Sequence, residues 1–499
     1  MEPKKKVKVS VEPLLAIIKQ NKLQVDTKKV RRAFEYAEEA HRGQKRKSGE
    51  PYIMHPLSVA MTLADLGLDE STILAGLLHD VPEDPMRTLI DVRKEFGSDV
   101  GTLVEGITKL GKLKYRGMER YVENLRKMFI AMAADIRTIF IKFADRIHNL
   151  QTLDALPEKK QKRIAEETLN IYAPIANRLG VNILKDILED LAFQKAYPKE
   201  YEQVRVLLET GQKERDKCYM HLHKGVTEAL VAQKIEIISF YGRTKQAYSL
   251  YRKLKQHKNN PNKIFDLLAM RVIVPTIQDC YAALGVINSN YRPLPGRMKD
   301  YIAQPKPNGY QSLHTTVLCD KSIVEFQIRT PEMHQQAEYG IAAHWFYDED
   351  GERIPDKDLN WVKELAKWQA EIKNEKKYLE SLKIDVFQNR IFVFTPQGDV
   401  IDLPEDSTPV DFAYAIHSEI GDKCSRAKVN SQLVKLDHKL QSGDVAEIIV
   451  EKNRKGPNPN WLKFVKTNQA KTRIRANAPK PVWEQVISGV GQKLSKRKK

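Results

Sequence analysis

Apolar residues recur every three to four positions over residues 28–200, the spacing that places them on one face of an α-helix. The segments that show this period include DESTILAGLLHD, NLRKMFIAMAADIRTIFIKFADRIHNL and LKDILEDLAFQKAY. Helical patterning continues through YEQVRVLLETGQKERDKCYMHLHKGVTEALVAQK. The first part of the chain is therefore predicted to be a series of amphipathic helices.

The pattern then changes to short strand-like segments, rich in β-branched and aromatic residues. These segments are KIEIISFYG, MRVIV, HTTVLCD and SIVEFQIRT. A charged helix containing WVKELAKWQAEIKNEKKYLESL comes next. After it, the apolar strands of RIFVFTPQGDVIDLP and LQSGDVAEIIVE flank a central helix, PVDFAYAIHSEIG, with turn signals at PQGD and SGD.

A chain of 499 residues is too long for one ordinary core, so roughly three domains are expected. The patterns predict a multidomain protein that combines an all-α domain, an α+β domain and a small β-rich domain. The predicted boundaries are 1–200 for the all-helical domain, 201–350 for the α+β domain, 351–386 for a linker helix, 387–451 for the β-rich domain and 452–499 for a basic C-terminal segment.

Composition narrows the function classes. The net charge of +18 favours acidic partners, such as phosphate-rich substrates or RNA. No apolar run approaches the roughly 20 residues of a membrane helix, so no membrane partner is expected. The four cysteines are scattered without a CxxC pair, which argues against a disulfide framework or a cysteine zinc site. A cytoplasmic protein is the expectation.

The stretch LLHDVPED, residues 77–84, crowds three carboxylates beside His79. Like charges this close are costly unless a cation or a shared proton offsets them. One interpretation is a helix that ends at Pro82 with solvated acids after it. The other is a divalent metal site, and the rest of the chain decides between them.

Further polar residues interrupt neighbouring helices. His55 stands just before Pro56, at the natural first position of a helix. Asp145, Asn149 and Thr152 succeed one another at spacings of four and seven, which places them on one helical face. Two histidines and two aspartates on three helices make a suitable ligand set for a hard or borderline divalent ion such as manganese.

His55, His79–Asp80 and Asp145 together resemble the H…HD…D signature of the HD family of metal phosphohydrolases. The surrounding RKSGEPYIMHP, HDVPED and KFADRIHNLQTL closely resemble the hydrolase domain of RelA/SpoT homologues, which make and destroy the alarmone (p)ppGpp. The resemblance implies Mn²⁺ at the four ligands, with Glu83 and Asp84 as carboxylates that orient and deprotonate a water. It implies nucleotide contacts from Arg46, Lys47, Ser48, Asn149 and Thr152. Pro82 departs from the family, which more often has a small aliphatic residue there.

In the predicted α+β domain, SIVEFQIRT alternates apolar with polar residues, so one strand face feeds a core and the other is polar. A half-exposed amphipathic strand is the plain interpretation. A cationic set nearby is suited to polyphosphate, and Asp266 with Glu325 could hold magnesium. The cationic residues are Arg243, Lys245, Arg271, Arg297, Lys299 and Lys306.

The blocks GRTKQAYSLYRKL, FDLLAMRVIV, PGRMKDYIAQPKPNGYQSLHTTV, VEFQIRT and MHQQAEYGIAAHW resemble the alarmone synthetase domain of the same family. The resemblance implies transfer of the β,γ-pyrophosphate of ATP to the ribose 3′-hydroxyl of GDP or GTP. Asp266 and Glu325 would bind Mg²⁺, and Glu325 would also take the hydroxyl proton. Arg243 and Arg271 would sandwich the adenine, and Tyr310 would stack on the guanine. The remaining implied contacts are Lys245, Arg297, Lys299, Lys306, Asn308, His314 and Gln327.

The RMKD of residues 297–300 matches the RxKD pattern of the bifunctional members of that family, whereas synthetase-only members have an acidic version. There is no Walker loop, so a P-loop enzyme is excluded.

Residues 387–451 resemble a TGS domain, with a ubiquitin-like adaptor as the plain alternative. In long alarmone enzymes this domain reads the 3′ end of deacylated tRNA on a stalled ribosome, and His417 matches the histidine implicated there. The segment NPNWLKFVKTNQAKTRIR resembles the stretch that family members carry directly after their TGS domain. The zinc-finger and ACT regions of full-length members are expected to be lacking.

The resemblance thus implies a bifunctional alarmone synthetase and hydrolase, a regulator of the stringent response, with ATP, GDP or GTP, and (p)ppGpp as ligands. One alternative is a ribosome- or tRNA-binding stress sensor with silent catalytic sites. Another is an HD hydrolase that acts on other nucleotides. The intact site residues and the complete synthetase blocks favour the bifunctional enzyme.

Overall fold

The computed structural model describes residues 9–83, 87–111, 118–257, 268–306, 309–319, 322–343, 390–441, 443–451, 453–454 and 456–478. The chain divides into two compact units, Met1–Glu375 and Lys376–Lys499. Among the described residues, no helix combines the length and the apolar character that a membrane crossing needs. The predicted linker helix at 351–386 lies outside the described residues, as does PVWEQVISGVGQKL, a stretch of the C-terminal segment whose pattern predicts a helix.

The first unit begins with the predicted series of helices. They are α1 Glu12–Gln20, α2 Thr27–Ala40, α3 Met54–Asp65, α4 Glu70–Leu78, α5 Leu89–Phe96, α6 Ser98–Gly111, α7 Met118–Ala134, α8 Arg137–Gln151, α9 Glu158–Glu167, α10 Ala173–Arg178, α11 Asn182–Ala196, α12 Pro198–Glu209 and α13 Gln212–Ala232. A π-helical turn, Thr168–Tyr172, leads into α10. Pro174 has no backbone N–H to donate to the preceding turn, which accounts for the local change of helix type.

Helix α4 is the centre of the helical core, since every residue from Thr72 to Leu78 is buried. It packs on α3 so closely that a Cβ at Gly76 would lie 2.5 Å from Leu63 Cδ1. Helix α8 adds Phe140 and Phe143 to the same core. This packing brings the start of α3, the end of α4 and the middle of α8 together.

The α+β part comes next within the same unit. Its elements are β1 Ser239–Thr244, α14 Ala247–Gln256, β2 Leu268–Ile273, α15 Ile277–Asn290, β3 Lys299–Asp300, β4 Leu313–Cys319, β5 Ser322–Arg329 and α16 Pro331–Tyr339. The five strands have the order β1-β2-β5-β4-β3, with β2 and β5 parallel and the other pairs antiparallel. Helices α13 and α15 cover one face of the sheet with the apolar core.

Two elements, β1 and α3, begin at other residues than the sequence predicted. Strand β1 starts at Ser239 rather than at Lys234, because Lys234 and Ile235 donate their backbone N–H groups to the last carbonyls of α13. In α3, Pro56 is the third helical residue and not the first, since the helix already begins at Met54.

The helical and α+β parts meet along α11. A Cβ at Gly340 would lie 2.3 Å from the carbonyl carbon of Gly180, so the two backbones approach as closely as glycines allow. The N–H of Ile341 donates to the Leu179 carbonyl at 3.1 Å. The Asn182 amide donates to the Ala337 carbonyl at 2.8 Å. We call this contact the glycine junction.

The second unit contains β6 Arg390–Phe394, β7 Val400–Pro404, α17 Pro409–Ile416, α18 Ser418–Lys423, β8 Cys424–Val429, β9 Gln432–Val434, β10 Ala446–Val450 and α19 Asn468–Asn477. Its strands form a three-stranded sheet, β10-β8-β9, and a β6-β7 hairpin. The predicted single helix PVDFAYAIHSEIG is two helices. His417 is extended between them, and its ring accepts a hydrogen bond from the Glu419 N–H, which caps α18.

Candidate functional sites

Three helical segments bring the four predicted metal ligands together. His55 is the second residue of α3, His79 and Asp80 directly follow α4, and Asp145 lies in α8. His55 Nε2 is 3.6 Å from an Asp80 oxygen and 3.4 Å from an Asp145 oxygen, and His79 Nε2 is 3.2 Å from the other Asp80 oxygen. Ligand atoms of His55, His79 and Asp80 all lie within 4.8 Å of one another. This spacing suits one ion bound between them.

The protonation states also suit a cation. Burial lowers the pKa of His55, which favours its neutral, metal-binding form. Burial by itself would raise the pKa of Asp145, but the charge of Lys142 beside it holds that pKa well below its usual range. The Nδ1 of His79 is 2.8 Å from the Gly76 carbonyl, so Nδ1 carries the proton and Nε2 keeps its lone pair. That Nε2 is buried and has no hydrogen-bond partner among the residues that the structure describes.

A buried, unpartnered ring nitrogen among carboxylates is costly unless a cation binds it. Imidazole nitrogens and carboxylate oxygens are also the donors that a borderline divalent ion prefers. His55, His79 and Asp80 therefore fit a divalent metal ion, and Asp145 lies beside them, 3.4 Å from His55 Nε2.

Neighbouring side chains orient the aspartates. Tyr52 donates to Asp80 Oδ2 at 3.0 Å. Lys142 donates to Asp145 Oδ2 at 2.6 Å, and Asn149 donates to Asp145 Oδ1. Such partners of ligating carboxylates fix the ligand positions. Neither Tyr52 nor Lys142 was predicted as a site residue. Lys142 lies three residues before Asp145, a spacing that places these two on one helical face.

Arg46 enters the same site from the loop between α2 and α3. Its guanidinium contacts His148 Nδ1 at 2.5 Å and the Asn149 side-chain oxygen at 2.6 Å. His148 is buried, and burial together with the charges of His55 and Arg46 lowers its pKa to about 3. His148 was not predicted as a site residue either, although it lies three residues after Asp145, on the same face of α8.

The other predicted hydrolase residues lie at the rim or outside the described residues. Lys47 and Ser48 are exposed, and Ser48 donates to Glu50 at 3.5 Å. The Thr152 hydroxyl donates to the His148 carbonyl at 3.1 Å, at the end of α8. Asp84 and the side chain of Glu83 lie outside the part of the chain that the structure describes.

A second site occupies the polar face of the five-stranded sheet. It is a cavity of about 430 Å³. Eight predicted synthetase residues line it: Arg243, Lys245, Arg271, Lys306, Tyr310, His314, Glu325 and Gln327. Strand register explains the grouping, because Gln327 of β5 stands between Arg271 of β2 and His314 of β4. On the opposite face Val324, Phe326 and Ile328 are fully buried, as the alternation predicted.

Glu325 is held by one of its oxygens. Oε1 accepts a hydrogen bond from His314 Nδ1 at 2.8 Å and another from Gln327 at 3.1 Å. Burial alone would raise the pKa of Glu325, yet the His314 hydrogen bond brings it down to about 2. Burial lowers the pKa of His314, so this donor is the neutral imidazole. Glu325 is thus an ionised carboxylate in a cationic cavity.

Tyr310 stands behind this pair. Its hydroxyl is 2.8 Å from His314 Nε2 and accepts from Arg329 Nη2 at 2.6 Å. The Lys306 ammonium lies 4.6 Å from the Tyr310 ring centre, and burial with nearby cations lowers its pKa to about 8. Arg329, which was not predicted as a site residue, is fully buried. Such a concentration of cations matches a polyanionic ligand.

The cavity also receives residues from the helical part, which the sequence analysis did not anticipate. Asn177, Asn182, Lys185 and Asp186 line it from α10 and α11. Asp186 accepts a hydrogen bond from Arg243. No pattern in the sequence connects these two residues, since 57 positions separate them.

Arginine–carboxylate pairing recurs deeper in the cavity. Arg271 contacts Glu338 of α16 at 2.7 Å, and Arg329 is 3.6 Å from the same oxygen. The predicted contacts Arg297 and Lys299 are exposed and do not line the cavity, although Lys299 pairs with His314 across β3 and β4. Asp266 and Asn308 lie outside the described residues. In the second unit, His417 is exposed.

Three parts of the chain match models of known protein families. Residues 33–182 match the HD domain, residues 242–352 match the region found in RelA / SpoT proteins, and residues 391–450 match the TGS domain. The predicted fold class, an all-α HD domain, an α+β synthetase domain and a small TGS domain, is confirmed. The HD domain also implies use of a divalent metal, in agreement with the ligand cluster at His55, His79 and Asp80.

Curated relatives cover nearly the whole chain. A GTP pyrophosphokinase of Myxococcus xanthus is 46% identical over 94% of this chain and 62% of its own length. A guanosine-3′,5′-bis(diphosphate) 3′-pyrophosphohydrolase of Aquifex aeolicus is 46% identical over 92% of this chain and 66% of its own. The bifunctional (p)ppGpp synthase/hydrolase SpoT of Escherichia coli is 44% identical, with shares of 90% and 64%. The chain thus spans less than two thirds of the length of these relatives.

Proposed function

Because the chain belongs to the RelA/SpoT family, we propose that it both synthesises and hydrolyses (p)ppGpp. Synthesis transfers the β,γ-pyrophosphate of ATP to the 3′-hydroxyl of GDP or GTP. Hydrolysis releases that pyrophosphate again and returns GDP or GTP. The observation that carries this proposal is the presence, within Met1–Glu375, of both a metal-ligand cluster and a separate cationic cavity with an ionised glutamate.

At the hydrolase site, we assign Mn²⁺ to His55, His79, Asp80 and Asp145. The bound ion would supply Lewis-acid chemistry at the scissile phosphate. Glu83 and Asp84 take the proton of the attacking water, and the bond between phosphorus and the ribose 3′-oxygen breaks. Arg46, Lys47, Ser48, Asn149 and Thr152 hold the nucleotide. The hydrogen bonds of Arg46 to two α8 side chains support its part in this set.

At the synthetase site, we assign Mg²⁺ to Asp266 and Glu325. Glu325 accepts the proton of the ribose 3′-hydroxyl through the oxygen that His314 and Gln327 leave accessible. Tyr310 stacks on the guanine of the acceptor. Arg243 and Arg271 hold the adenine of ATP, and each now contacts a carboxylate that competes with the nucleotide for its guanidinium. The remaining contacts are Lys245, Arg297, Lys299, Lys306, Asn308 and Gln327.

The test uses the purified chain in two reactions resolved by chromatography. ATP with GDP and Mg²⁺ should yield AMP and ppGpp, and ppGpp with Mn²⁺ should yield GDP and pyrophosphate. A hydrolase for other nucleotides would perform neither reaction but degrade other substrates. A chain that performs neither reaction and binds ribosomes would be the silent sensor.

We further propose that the TGS domain contacts the 3′ end of deacylated tRNA on a stalled ribosome, with His417 at the contact. The exposure of the ring at the break between α17 and α18 supports this assignment. His417→Ala should reduce the stimulation of synthesis by stalled ribosomes and leave the basal rate unchanged. Equal stimulation of variant and wild type would favour an adaptor role. These substrates and this partner are those of the cytoplasm, where we expect the protein to act.

A further inference from the structure

His148 lies between a metal ligand and a nucleotide-binding arginine. Its side chain is buried in α8, and its ring centre is 5.0 Å from that of His55. The two Nδ1 atoms are 3.0 Å apart. Arg46 Nη1 approaches the same His148 nitrogen to 2.5 Å. One nitrogen atom therefore contacts both neighbours.

The arginine determines which of these atoms donates. A guanidinium has only donors, so His148 Nδ1 must offer its lone pair to Arg46. Because that nitrogen carries no proton, the short contact with His55 is a hydrogen bond only if His55 Nδ1 is the donor. With the proton on Nδ1, His55 keeps the lone pair of Nε2. That atom faces Asp80 and Asp145, at 3.6 and 3.4 Å.

We propose that His148 is a positioning residue that keeps His55 in its metal-binding tautomer and anchors Arg46 beside it. This role rests on the proposed hydrolase function. Metal-ligating histidines donate their second ring nitrogen to an acceptor that fixes the tautomer. Here that acceptor is a neutral imidazole nitrogen, which a guanidinium shares. The nucleotide-binding Arg46 and the metal ligand His55 thereby depend on one side chain, that of His148, which itself binds neither the nucleotide nor the metal ion.

Asn149 provides the second anchor of Arg46, so that His148 Nδ1 is only one of the two acceptors of this guanidinium. Its side-chain oxygen holds the other end of the Arg46 guanidinium at 2.6 Å. Loss of the His148 acceptor therefore leaves Arg46 with one of its two anchors and leaves His55 Nδ1 without its partner. The expected damage is larger for metal binding than for nucleotide binding.

The test compares three variants of the full chain by calorimetric titration with Mn²⁺ alone. His148→Asn places an amide oxygen near the position of Nδ1 and should retain Mn²⁺ affinity within a few-fold. His148→Gln carries its polar atoms one bond further and should lose roughly 10- to 100-fold, as should His148→Leu, which has no acceptor. If His148→Leu fails to fold, the comparison of His148→Asn with His148→Gln still decides. Wild-type affinity for Mn²⁺ in His148→Gln or His148→Leu would overturn the proposal, as would an equal loss of affinity in His148→Asn.

Two further readouts separate this role from a general structural one. The KM for ppGpp should rise several-fold in His148→Leu because Arg46 loses an anchor, while the KM for ATP in synthesis stays unchanged. A parallel rise of both would indicate damage to the fold and refute a positioning role. The titration needs no turnover. A wild-type chain that binds Mn²⁺ but does not cleave ppGpp would therefore refute the proposed function and leave the role of His148 to be decided by the variants.

Discussion

Asp186 of the helical part accepts a hydrogen bond from Arg243 of the synthetase cavity. The other Asp186 oxygen is 3.1 Å from Lys185. One turn further along α11, Asp190 accepts from the backbone N–H of Tyr248 at 3.1 Å. The first turn of α14, which has no side-chain cap of its own at Gln246, is thus capped from another part of the fold. The carboxylates of Asp186 and Asp190 thus lie beside Arg243 and the N-terminus of α14, a position where an anionic ligand would be favoured.

Asp186→Asn should lower the KM for ATP several-fold. The amide no longer offers a charge to Arg243, so less free energy is spent in releasing the guanidinium to the nucleotide. Steady-state synthesis at fixed GDP measures this. Glu158→Gln, an exposed neutralisation in the same helical part, is the control and should change nothing. An unchanged or higher KM for ATP in Asp186→Asn would show that the contact does not compete with ATP.

The same contact gives a concrete route for coupling two opposed activities. If the helical and α+β parts shift between two arrangements, each stabilised by ligand at one site, the coupling must be reciprocal. A synthetase ligand should then weaken ppGpp binding at the hydrolase site by the same factor as the reverse. Calorimetry on chains with one site disabled measures both factors. Independent binding would leave two uncoupled enzymes on one chain.

Asp80→Ala should abolish Mn²⁺-dependent release of pyrophosphate from ppGpp. The substitution removes the carboxylate that lies between His55 and His79 and that Tyr52 orients. Synthesis from ATP and GDP should remain measurable, since its cavity is separate. Asp154→Ala, at an exposed aspartate, serves as the matched control. Hydrolysis at the wild-type rate by Asp80→Ala would remove Asp80 from the metal site.

Glu325→Gln should reduce the rate of synthesis by roughly 10²- to 10⁴-fold, the range typical of a lost general base. The amide oxygen can still accept from His314 and Gln327, so the cavity should keep its shape. Rapid-quench or steady-state assays of AMP formation measure the loss. Glu332→Gln, exposed on α16, controls for charge. Wild-type turnover in Glu325→Gln would assign the chemistry to another group.

Glu189 should make stability depend on pH around neutrality. Burial raises its pKa to about 7, with Asp186 and Asp190 adding to the shift and Lys185 and Arg252 opposing it. The folded chain then holds a proton that the unfolded chain loses near pH 4.5, so this group's contribution falls as pH rises from 4.5 to 7.

The neutral variant Glu189→Gln removes that dependence. It should match wild type near pH 4.5 and be more stable above pH 7, by up to about 3 kcal/mol. Urea unfolding across this range measures the difference, with Glu158→Gln as the control. A difference that stays constant with pH would mean that the pKa of Glu189 is the same in the folded and the unfolded chain.

The sequence predicted the features that depend on local pattern or on motif. The helices of the first part, the alternation that buries Phe326 and exposes Glu325 to the cavity, and the proximity of His55, His79 and Asp80 could all be predicted in this way. His148 was missed because its spacing of three from Asp145 does not reveal that its ring contacts Arg46 and His55, which come from other segments of the chain. Asp186 was missed because its role depends on tertiary packing between α11 and β1. The break at His417 depends on a capping bond that the continuous apolar pattern conceals.

The glycine junction has a consequence for recombination between homologues. A Cβ at Gly340 would lie 2.3 Å from the carbonyl carbon of Gly180, and Gly180 itself has a φ of 75°, so neither position accepts a side chain without a shift of the backbone. A chimaera that takes the helical part from one parent and the α+β part from another inherits only one side of the glycine junction from each. Shuffled libraries of this protein should therefore yield active hybrids mainly when the crossover falls before residue 179 or after residue 343, where both sides of the glycine junction come from the same parent.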